Sequence, residues 1–229
     1  MPDRPRLLDL FCCEGGAGMG YHRAGFEVVG VDIVAQPRYP FEFHQADALT
    51  FPLDGFDAVH ASPPCQAYSI SRNAHSKQHP QLIEPIRHRL KSAGIPYVIE
   101  NVPGAPLHGP VILCGTMFGL GAVDEDGSVL FLRRHRLFET TFLVLTTPCR
   151  CLDELDSGKR VGGVYGGGSA NFEHARNVRH GGYTPGKKQR AELIDAPWMT
   201  LRGLSQAIPP AYTEFIGDAL MRAILERAA

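Results

Sequence analysis

A cysteine directly after two prolines is the first candidate for chemistry in this sequence. Cys65 stands in the string Ser62-Pro63-Pro64-Cys65-Gln66, which follows an apolar stretch at 56–61. Open α/β sheets place reactive groups just beyond the carboxyl ends of strands, and two prolines restrict the loop backbone that presents the thiol. We therefore predict a nucleophile at Cys65. The alternative is a buried structural cysteine, and this is how we interpret Cys12, Cys13 and Cys114.

A carboxylate and an arginine cluster are the next candidates. Glu100 and Asn101 close an apolar stretch at 96–102, where partial desolvation would raise the pKa of Glu100 and let it donate a proton. The alternative is a capping or surface carboxylate. Arg134 and Arg136 alternate along a stretch at 129–142 that is typical of paired strands, so we expect them to share one face. The alternative for these arginines is ordinary solvated charge.

A glycine-rich turn points to an adenosine ligand. The turn Glu14-Gly15-Gly16-Ala17-Gly18 follows a predicted strand at 6–11, and a second strand at 26–33 contains Asp32 near its end. Backbone close to the ligand and a carboxylate on the ribose are the general solution for such ligands. The glycines do not fit the dinucleotide pattern, which disfavours NAD and favours S-adenosylmethionine. A turn kept for packing, with Asp32 and Asp47 as loop caps, is the alternative.

The order of elements predicts the fold class. Further strands are expected at 41–44, 56–61 and 96–102, with amphipathic helices at 80–94 and 212–224. This alternation predicts an α/β fold with a doubly wound, mostly parallel sheet. We expect a catalytic and cofactor-binding core at 1–145, a small irregular region at 146–196, and a closing segment at 197–229 that packs back on the core.

Composition sets the broad class. The chain has 229 residues, 44% hydrophobic and 21% charged, which excludes a disordered or disulfide-scaffold protein. We expect free thiols, no membrane span and a cytoplasmic location. The net charge of −1 argues against a nucleic-acid partner. However, residues 133–190 contain 11 basic against 5 acidic residues, and the remainder has 12 against 19, so a basic region adjoins an acidic body.

Several motifs in this order resemble the DNA cytosine-5 methyltransferase family, and most closely its short phage and prophage members. They are Asp9-Leu10-Phe11 with the glycine turn, Pro64-Cys65-Gln66, Glu100-Asn101-Val102, Arg134-x-Arg136 and Gln206-Ala207-Ile208-Pro209-Pro210. The resemblance covers nearly the whole chain except 146–196. It implies the Rossmann-like fold of S-adenosylmethionine-dependent methyltransferases. It also implies transfer of a methyl group to C5 of cytosine in double-stranded DNA, with S-adenosylhomocysteine as product, in a modification or phage setting.

The resemblance assigns catalytic roles. Cys65 matches the nucleophile that adds to C6 of cytosine, and Glu100 matches the residue that protonates or hydrogen-bonds the ring nitrogen. Arg134 and Arg136 match the arginines that hold the flipped nucleotide, and a nearby guanidinium favours the thiolate. Asn101 would orient the loop that contains Cys65.

The resemblance also assigns a cofactor site and a DNA surface. Cofactor contacts are implied for Phe11, Gly15, Gly18, Asp32, Asp47, Pro63, Gln206 and Ala207. Cytosine must leave the duplex for attack at C6, so the region 146–196 would contact DNA and support base flipping. Its candidates for DNA contact are Arg150, Lys159, Arg160, Arg176, Arg179, Lys187, Lys188 and Arg190. We expect 161–169 to be a flexible loop facing DNA, and the protein to be a monomer.

Two departures and several alternatives stay open. Leu132 replaces the family's usual glutamine, and Ser205-Gln206 replaces its usual Gly-Asn pair. A catalytically silent DNA-binding relative and an RNA cytosine-5 methyltransferase are alternative functions. A zinc site from Cys149, Cys151, His174 and His180 fits no zinc-finger spacing, so we expect no metal.

Overall fold

A seven-stranded sheet forms the centre of the protein in a computed structural model that describes residues 4–68, 79–165 and 182–228. The spatial order is β3-β2-β1-β4-β5-β9-β6, in which the first five strands are parallel and β9 runs antiparallel to β5 and β6. Its strands are β1 (Arg6–Leu10), β2 (Glu27–Asp32), β3 (Glu42–Gln45), β4 (Ala58–Ala61), β5 (Tyr97–Asn101), β6 (Val111–Leu113) and β9 (Arg136–Thr140). The central strands are almost wholly buried, which explains their continuous apolar sequences.

Helices cover both faces of this sheet. They are α1 (Gly16–Arg23), α2 (Ile83–Ala93) and α6 (Pro210–Ala228), whereas α3 (Cys151–Asp156), α4 (Lys187–Ile194) and α5 (Leu201–Gln206) belong to the part of the chain that surrounds a second sheet. Tyr21 of α1 and Tyr212 of α6 belong to one apolar core, whereas Ile86 and Leu90 of α2 belong to the core on the opposite face. The sheet therefore has the doubly wound arrangement that the sequence predicts.

The helices α1 and α6 pack closely because glycine lies at their contact. A Cβ atom at Gly20 would lie 2.1 Å from the Thr213 hydroxyl oxygen, so no larger residue fits there. The same hydroxyl donates to the Ala17 carbonyl oxygen at 2.8 Å. The last helix is thereby fixed against the helix that follows the glycine-rich turn.

A second sheet of four strands lies beside the first. Its order is β11-β10-β8-β7, from β7 (Gly121–Val123), β8 (Val129–Leu132), β10 (Arg160–Gly162) and β11 (Gly182–Tyr183). Two of its strands precede residue 146 and two follow it. The small region that we predicted at 146–196 thus shares a sheet with residues of the predicted core.

Two sequence predictions in this part of the chain are wrong. The stretch 129–142 does not form paired strands, because β8 and β9 belong to different sheets and residues 133–135 between them are not in a strand. The start of the stretch 161–169 is not a flexible loop, since Val161 is buried and Gly162 pairs with Leu132 of β8. Residues 166–169 of that stretch lie outside the described residues.

The other predicted elements agree with the structure to within a few residues at their ends. The predicted strands at 6–11, 26–33, 41–44, 56–61 and 96–102 correspond to β1 to β5, and the predicted helices correspond to α2 and α6. Among the described residues, none of the helices combines the length and the apolar character that crossing a bilayer requires.

Candidate active site

A cavity of about 460 Å³ lies at the carboxyl ends of the parallel strands. Its wall includes residues that follow β1, β2, β4 and β5, and residues 199–208 close it from the side of α5. The order of strands reverses between β1 and β4, which is where doubly wound folds bind their ligands. Of the predicted site residues, the wall contains Phe11, Asp32, Pro63, Cys65, Glu100, Arg136, Gln206 and Ala207.

Cys65 begins a single turn of 3-10 helix directly after Pro64. The Asn101 side-chain amide donates to the Pro63 carbonyl oxygen at 2.8 Å, which joins the end of β5 to the loop that presents the thiol. Burial and the nearby Glu100 carboxylate raise the pKa of the Cys65 thiol, although Arg136 and Arg134 act to lower it. The arginines therefore favour the thiolate, but burial has the larger effect on the pKa of Cys65.

Glu100 and Arg136 form an ion pair in the cavity wall. The Arg136 Nε atom lies 3.1 Å from the Glu100 Oε1 atom, and both side chains are largely buried. Burial raises the pKa of Glu100, while Arg136, Arg134 and a hydrogen bond from the Ser62 hydroxyl oppose this increase. A carboxyl group with a raised pKa holds a proton more readily near neutral pH, as a proton donor to a substrate must.

A buried chain of polar side chains leads from α1 to Glu100. The Tyr21 hydroxyl lies 2.9 Å from His60 Nδ1, and His60 Nε2 lies 2.6 Å from the Ser62 hydroxyl oxygen. Ser62 in turn is hydrogen-bonded to Glu100. Burial lowers the pKa of His60 to about 3, so its imidazole is neutral in the folded protein. These linked hydrogen bonds hold the Glu100 carboxyl group in position.

The turn after β1 has an unusual backbone. Phe11 and Cys13 adopt positive φ angles of 61° and 46°, a conformation that non-glycine residues seldom adopt outside functional sites. Asp32 accepts from the backbone amides of Cys13 at 3.1 Å and Val34 at 2.9 Å. The aromatic ring and the carboxylate predicted to contact a cofactor are therefore held on one wall of the cavity.

Three predicted cofactor residues are not part of the cavity wall. Gly15 has φ 84°, and a Cβ atom there would lie 2.7 Å from Pro40 Cδ. A Cβ atom at Gly18 would lie 2.7 Å from the Tyr39 hydroxyl, so this glycine is required by internal packing. Asp47 is exposed and accepts from the Leu49 amide at 2.9 Å. Gly16, which was not singled out, lines the cavity instead.

The closing segment is joined to the glycine-rich turn through Glu14. Its carboxylate accepts from the Thr200 amide at 2.7 Å and from the Thr200 hydroxyl at 2.5 Å, and its carbonyl accepts from the Trp198 indole at 2.8 Å. Thr200 also caps the first turn of α5. These bonds hold Gln206 and Ala207, which follow from α5, against the opening of the cavity.

Arg134 does not share a face with Arg136, which corrects the prediction from strand alternation. It lies in the irregular stretch before β9, is 5% exposed and is not part of the cavity wall. Its guanidinium donates to the carbonyl oxygens of Val164 at 2.7 Å, Ser205 at 2.8 Å and Ala207 at 3.0 Å. Arg134 thus joins three separate segments of the chain instead of facing the cavity.

The residues predicted to contact DNA differ in their exposure and in their ion pairs. Arg150, Lys159 and Arg160 are exposed or half-buried, and each is paired with an acidic neighbour: Asp153 at 3.3 Å, Glu154 at 2.5 Å and Asp126 at 3.0 Å respectively. Lys187 and Lys188 are exposed on α4. Arg190 is 3% exposed and donates to the Pro185 carbonyl oxygen at 2.7 Å, so it does not lie on the surface. Arg176, Arg179, His174 and His180 lie outside the described residues.

Sequence reasoning missed Asp9 as a site residue. Asp9 is fully buried, borders the cavity and accepts from the Tyr39 hydroxyl at 3.1 Å. Its Oδ1 atom has no hydrogen-bond partner within the described parts of the chain. Burial raises the pKa of Asp9 to about 7. A charged residue inside an otherwise apolar strand was the available signal.

Comparisons with known proteins place the fold. The sequence matches no family model, and no curated protein matches it. Among solved structures, a protein described as a DNA modification methyltransferase encoded within a prophage of E. coli has a TM-score of 0.57 at 16% identity, with 97% of this chain and 99% of that chain covered. The Dnmt2 methyltransferase of S. pombe has a TM-score of 0.61 at 13% identity, with the same two shares covered. The methyltransferase EhMeth of Entamoeba histolytica has a TM-score of 0.55 at 9% identity, with 99% of each chain covered.

These likenesses show the fold class. The protein has the Rossmann-like α/β fold of methyltransferases, with a large, mostly parallel sheet and a cavity at its carboxyl edge. The identities of 9% to 16% show nothing about substrate, which must be argued from the site itself.

Proposed function

We propose that this protein transfers a methyl group from S-adenosylmethionine to C5 of a cytosine in double-stranded DNA. One observation supports the proposal above the others. A single cavity has a cysteine on a proline-stiffened loop, a buried carboxyl–arginine pair and an adenosine-type strand-to-helix turn in its wall. These are the groups that nucleophilic attack, proton donation and cofactor binding each require.

The cavity residues would divide the reaction between them. Cys65, as its thiolate, adds to C6 of the cytosine while Glu100 holds a proton at the ring nitrogen, so negative charge does not accumulate on the ring. The electron-rich C5 atom would take the methyl group as the bond between the methyl carbon and the sulfonium sulfur breaks, which leaves S-adenosylhomocysteine. Water then takes the C5 proton, the electron pair of that bond restores the C5–C6 double bond, and the bond between the Cys65 sulfur and C6 breaks so that Cys65 leaves as the thiolate. The proton on the ring nitrogen returns to Glu100. Arg136 stabilises the ionised form of Glu100 between turnovers.

The turn after β1 fits the proposed cofactor. When bound, S-adenosylmethionine would supply an electrophilic methyl group. Phe11 offers an aromatic face and Asp32 a carboxylate on the same wall of the cavity. Asp9 Oδ1, a buried oxygen with no hydrogen-bond partner in the described residues, can accept from an ammonium or hydroxyl group of a ligand. Gln206 would face the cofactor from the closing segment.

A nucleic-acid substrate is supported by charge and by the position of Cys65. The sequence has a basic excess at 133–190, and one of these basic residues, Arg136 at the start of β9, lines the cavity. A thiol inside a cavity can reach C6 of a cytosine only when the base leaves the helical stack, at a cost of a few kcal/mol. Exposed Lys187 and Lys188 remain candidates for phosphate contacts.

Methyl incorporation into defined substrates tests the proposal. The full chain is incubated with isotope-labelled S-adenosylmethionine and duplex DNA or tRNA, and the nucleosides are then analysed by mass spectrometry. We expect 5-methylcytosine in duplex DNA. Duplex DNA that contains 5-fluorocytosine should form a covalent adduct on the peptide that contains Cys65, and Cys65→Ser should abolish it.

Each outcome decides something specific. Labelling of tRNA without labelling of DNA would show that the substrate is RNA, with the same methyl-transfer chemistry. An adduct that still forms in Cys65→Ser would show that Cys65 is not the nucleophile. Tight DNA binding without turnover, by a chain that is folded and binds S-adenosylmethionine, would favour the silent relative. Bisulfite sequencing of DNA from an expressing host gives the sequence context.

A further inference from the structure

Four potential metal ligands from three parts of the chain meet beside the cavity. Cys114 follows β6, His135 lies between β8 and β9, Cys149 lies two residues before α3, and Cys151 is the first residue of α3. Because β6 ends opposite Arg136, where β9 begins, Cys114 and His135 emerge from the same edge of the large sheet. One ligand atom from each of the four residues lies within 4.8 Å of all the others.

The distances between the ligand atoms match one tetrahedral ion. The Sγ atoms of Cys114 and Cys151 are 3.3 Å apart, and His135 Nε2 lies 3.4 Å from Cys149 Sγ and 4.0 Å from Cys151 Sγ. Zinc bonds of about 2.3 Å to sulfur and about 2.0 Å to nitrogen place tetrahedral ligands roughly 3.5 to 3.8 Å apart. The observed separations lie on either side of that range.

We propose that Cys114, His135, Cys149 and Cys151 form a structural zinc site. Three cysteines and one histidine are a common ligand set for structural zinc, and a tetrahedral S₃N arrangement favours zinc over the harder divalent cations. Four protein ligands complete the coordination, so the site has no open position and no reaction step passes through the metal.

The surroundings fit a metal site as well. Cys114 and Cys151 are buried, His135 is half-buried and Cys149 is exposed, so the ion has a path from solvent. The Thr116 hydroxyl lies 3.7 Å from Cys151 Sγ and accepts from the Arg150 amide at 3.1 Å. Such outer contacts orient the ligands and hold the Cys149–Cys151 segment in place.

This proposed site departs from the sequence-based expectation that the protein binds no metal. The sequence suggested a pair of ligands at Cys149 and Cys151 but joined it to His174 and His180, which lie outside the described residues. Cys114 was interpreted as structural, and His135 was overlooked between two arginines. The ligands are 21, 14 and 2 residues apart along the chain, a spacing that matches no zinc-finger pattern.

The position of the site suggests what the ion does. His135 lies between Arg134, which joins the closing segment, and Arg136, which pairs with Glu100. An ion bound there would fix this short irregular stretch and anchor α3 to both sheets. A contribution of the ion to catalysis, by fixing the stretch before Arg136, rests on the proposed function, whereas metal binding itself does not.

Metal titration of the full chain tests the site without measuring activity. The reduced chain is stripped with a chelator and reloaded with Zn²⁺, which is quantified by mass spectrometry, or with Co²⁺, whose absorption reports tetrahedral thiolate ligation. We expect one equivalent of either metal and a higher Tm for the zinc form. Cys149→Ser and Cys151→Ser should lose the stoichiometric metal and the cobalt spectrum. Cys65→Ser, a cysteine variant outside the cluster, should retain both.

The same experiment can overturn the proposal. A reduced, folded wild-type chain that binds neither Zn²⁺ nor Co²⁺ contradicts it, and so does a Cys114–Cys151 disulfide that accounts for both thiols while the reduced form binds no metal. Equal metal content in wild type and both ligand variants would place the ion elsewhere. Because the wild-type titration needs no variant, a variant that fails to fold leaves the test intact. A chain that binds zinc but methylates nothing would contradict only the proposed function.

Discussion

Two neighbouring regions of this molecule hold their polar groups in different ways. At the carboxyl edge of the parallel sheet, Phe11, Cys65 and Asn101 each lie at or just beyond the end of a strand. At the joint between the two sheets, Arg134 donates to carbonyl oxygens of residues 30, 71 and 73 positions away along the chain. The first region is positioned by regular structure and the second by cross-connections between irregular segments.

The difference separates chemistry from assembly. Groups at strand ends keep their geometry as long as the sheet is intact, so changing one of them should alter the reaction and leave the fold in place. Groups at the joint donate hydrogen bonds to backbone carbonyl oxygens or are themselves potential metal ligands. Changing one of them should therefore first alter stability. Three experiments with four substitutions test this division, in order of decreasing expected effect.

Glu100→Gln should give the largest effect, a loss of rate with little change in stability. Loss of the ionisable proton donor is expected to lower kcat by about 10²- to 10⁴-fold, with a Tm close to that of wild type. Because the Glu100 carboxylate raises the pKa of Cys65, the same substitution should lower the pKa of that thiol. Single-turnover methyl transfer gives the rate, and alkylation of the Cys65 peptide as a function of pH gives the direction of the pKa change.

The control for Glu100→Gln is Glu27→Gln, at the other end of the sheet. Glu27 is exposed and pairs with Arg6 at 3.2 Å, so its replacement should change neither rate nor thiol reactivity. If Glu100→Gln lowered Tm strongly and left kcat unchanged, Glu100 would belong with the residues of the joint.

Arg134→Met should show the opposite pattern. The substitution keeps an apolar stem but removes three hydrogen bonds, leaving carbonyl oxygens of Val164, Ser205 and Ala207 without this donor. We expect a loss of about 3 kcal/mol in the free energy of unfolding, or roughly 6 to 12 °C in Tm. Denaturant titration and calorimetry measure both quantities.

The neighbouring Arg133→Met is the matched control for Arg134→Met, since it makes the same chemical change at a half-buried position. It should change stability by no more than about 0.5 kcal/mol. Equal losses for the two variants would mean that the three carbonyl contacts of Arg134 add no stability beyond its bulk.

The contrast between the regions also explains what the sequence could predict. Cys65 and Asp32 could be found because each lies at or just beyond an apolar, β-rich stretch, and parallel strands bring their carboxyl ends to one edge. The turn between β8 and β9 could not be predicted from the sequence, because residues 132–136 contain neither glycine nor proline to mark a break. The different directions of Arg134 and Arg136 follow from that break, and so does the meeting of His135 with Cys114.

The smallest expected effect comes from two buried groups at the strand-end region that titrate in opposite directions. Asp9 of β1 and His60 of β4 are paired in register on adjacent strands. Burial raises the pKa of Asp9 to about 7 and lowers the pKa of His60 to about 3. Neutral His60 stabilises the fold above its unfolded pKa of about 6.5, and this stability is lost as pH falls toward 3. Protonated Asp9 stabilises the fold below its unfolded pKa of about 3.9, and this is lost as pH rises through 7.

Between pH 7 and pH 5 the two groups should therefore nearly cancel in the wild-type protein. Each contributes about 2 kcal/mol over this interval, with opposite sign. His60→Gln removes one side, so the variant should gain about 2 kcal/mol in unfolding free energy on acidification relative to wild type. Asp9→Asn removes the other side and should lose about 2 kcal/mol over the same interval. Denaturant titrations at the two pH values measure the changes, with His88→Gln on the exposed face of α2 as control. If both variants followed the wild-type pH dependence, burial would not shift the pKa values of Asp9 and His60 in the way described.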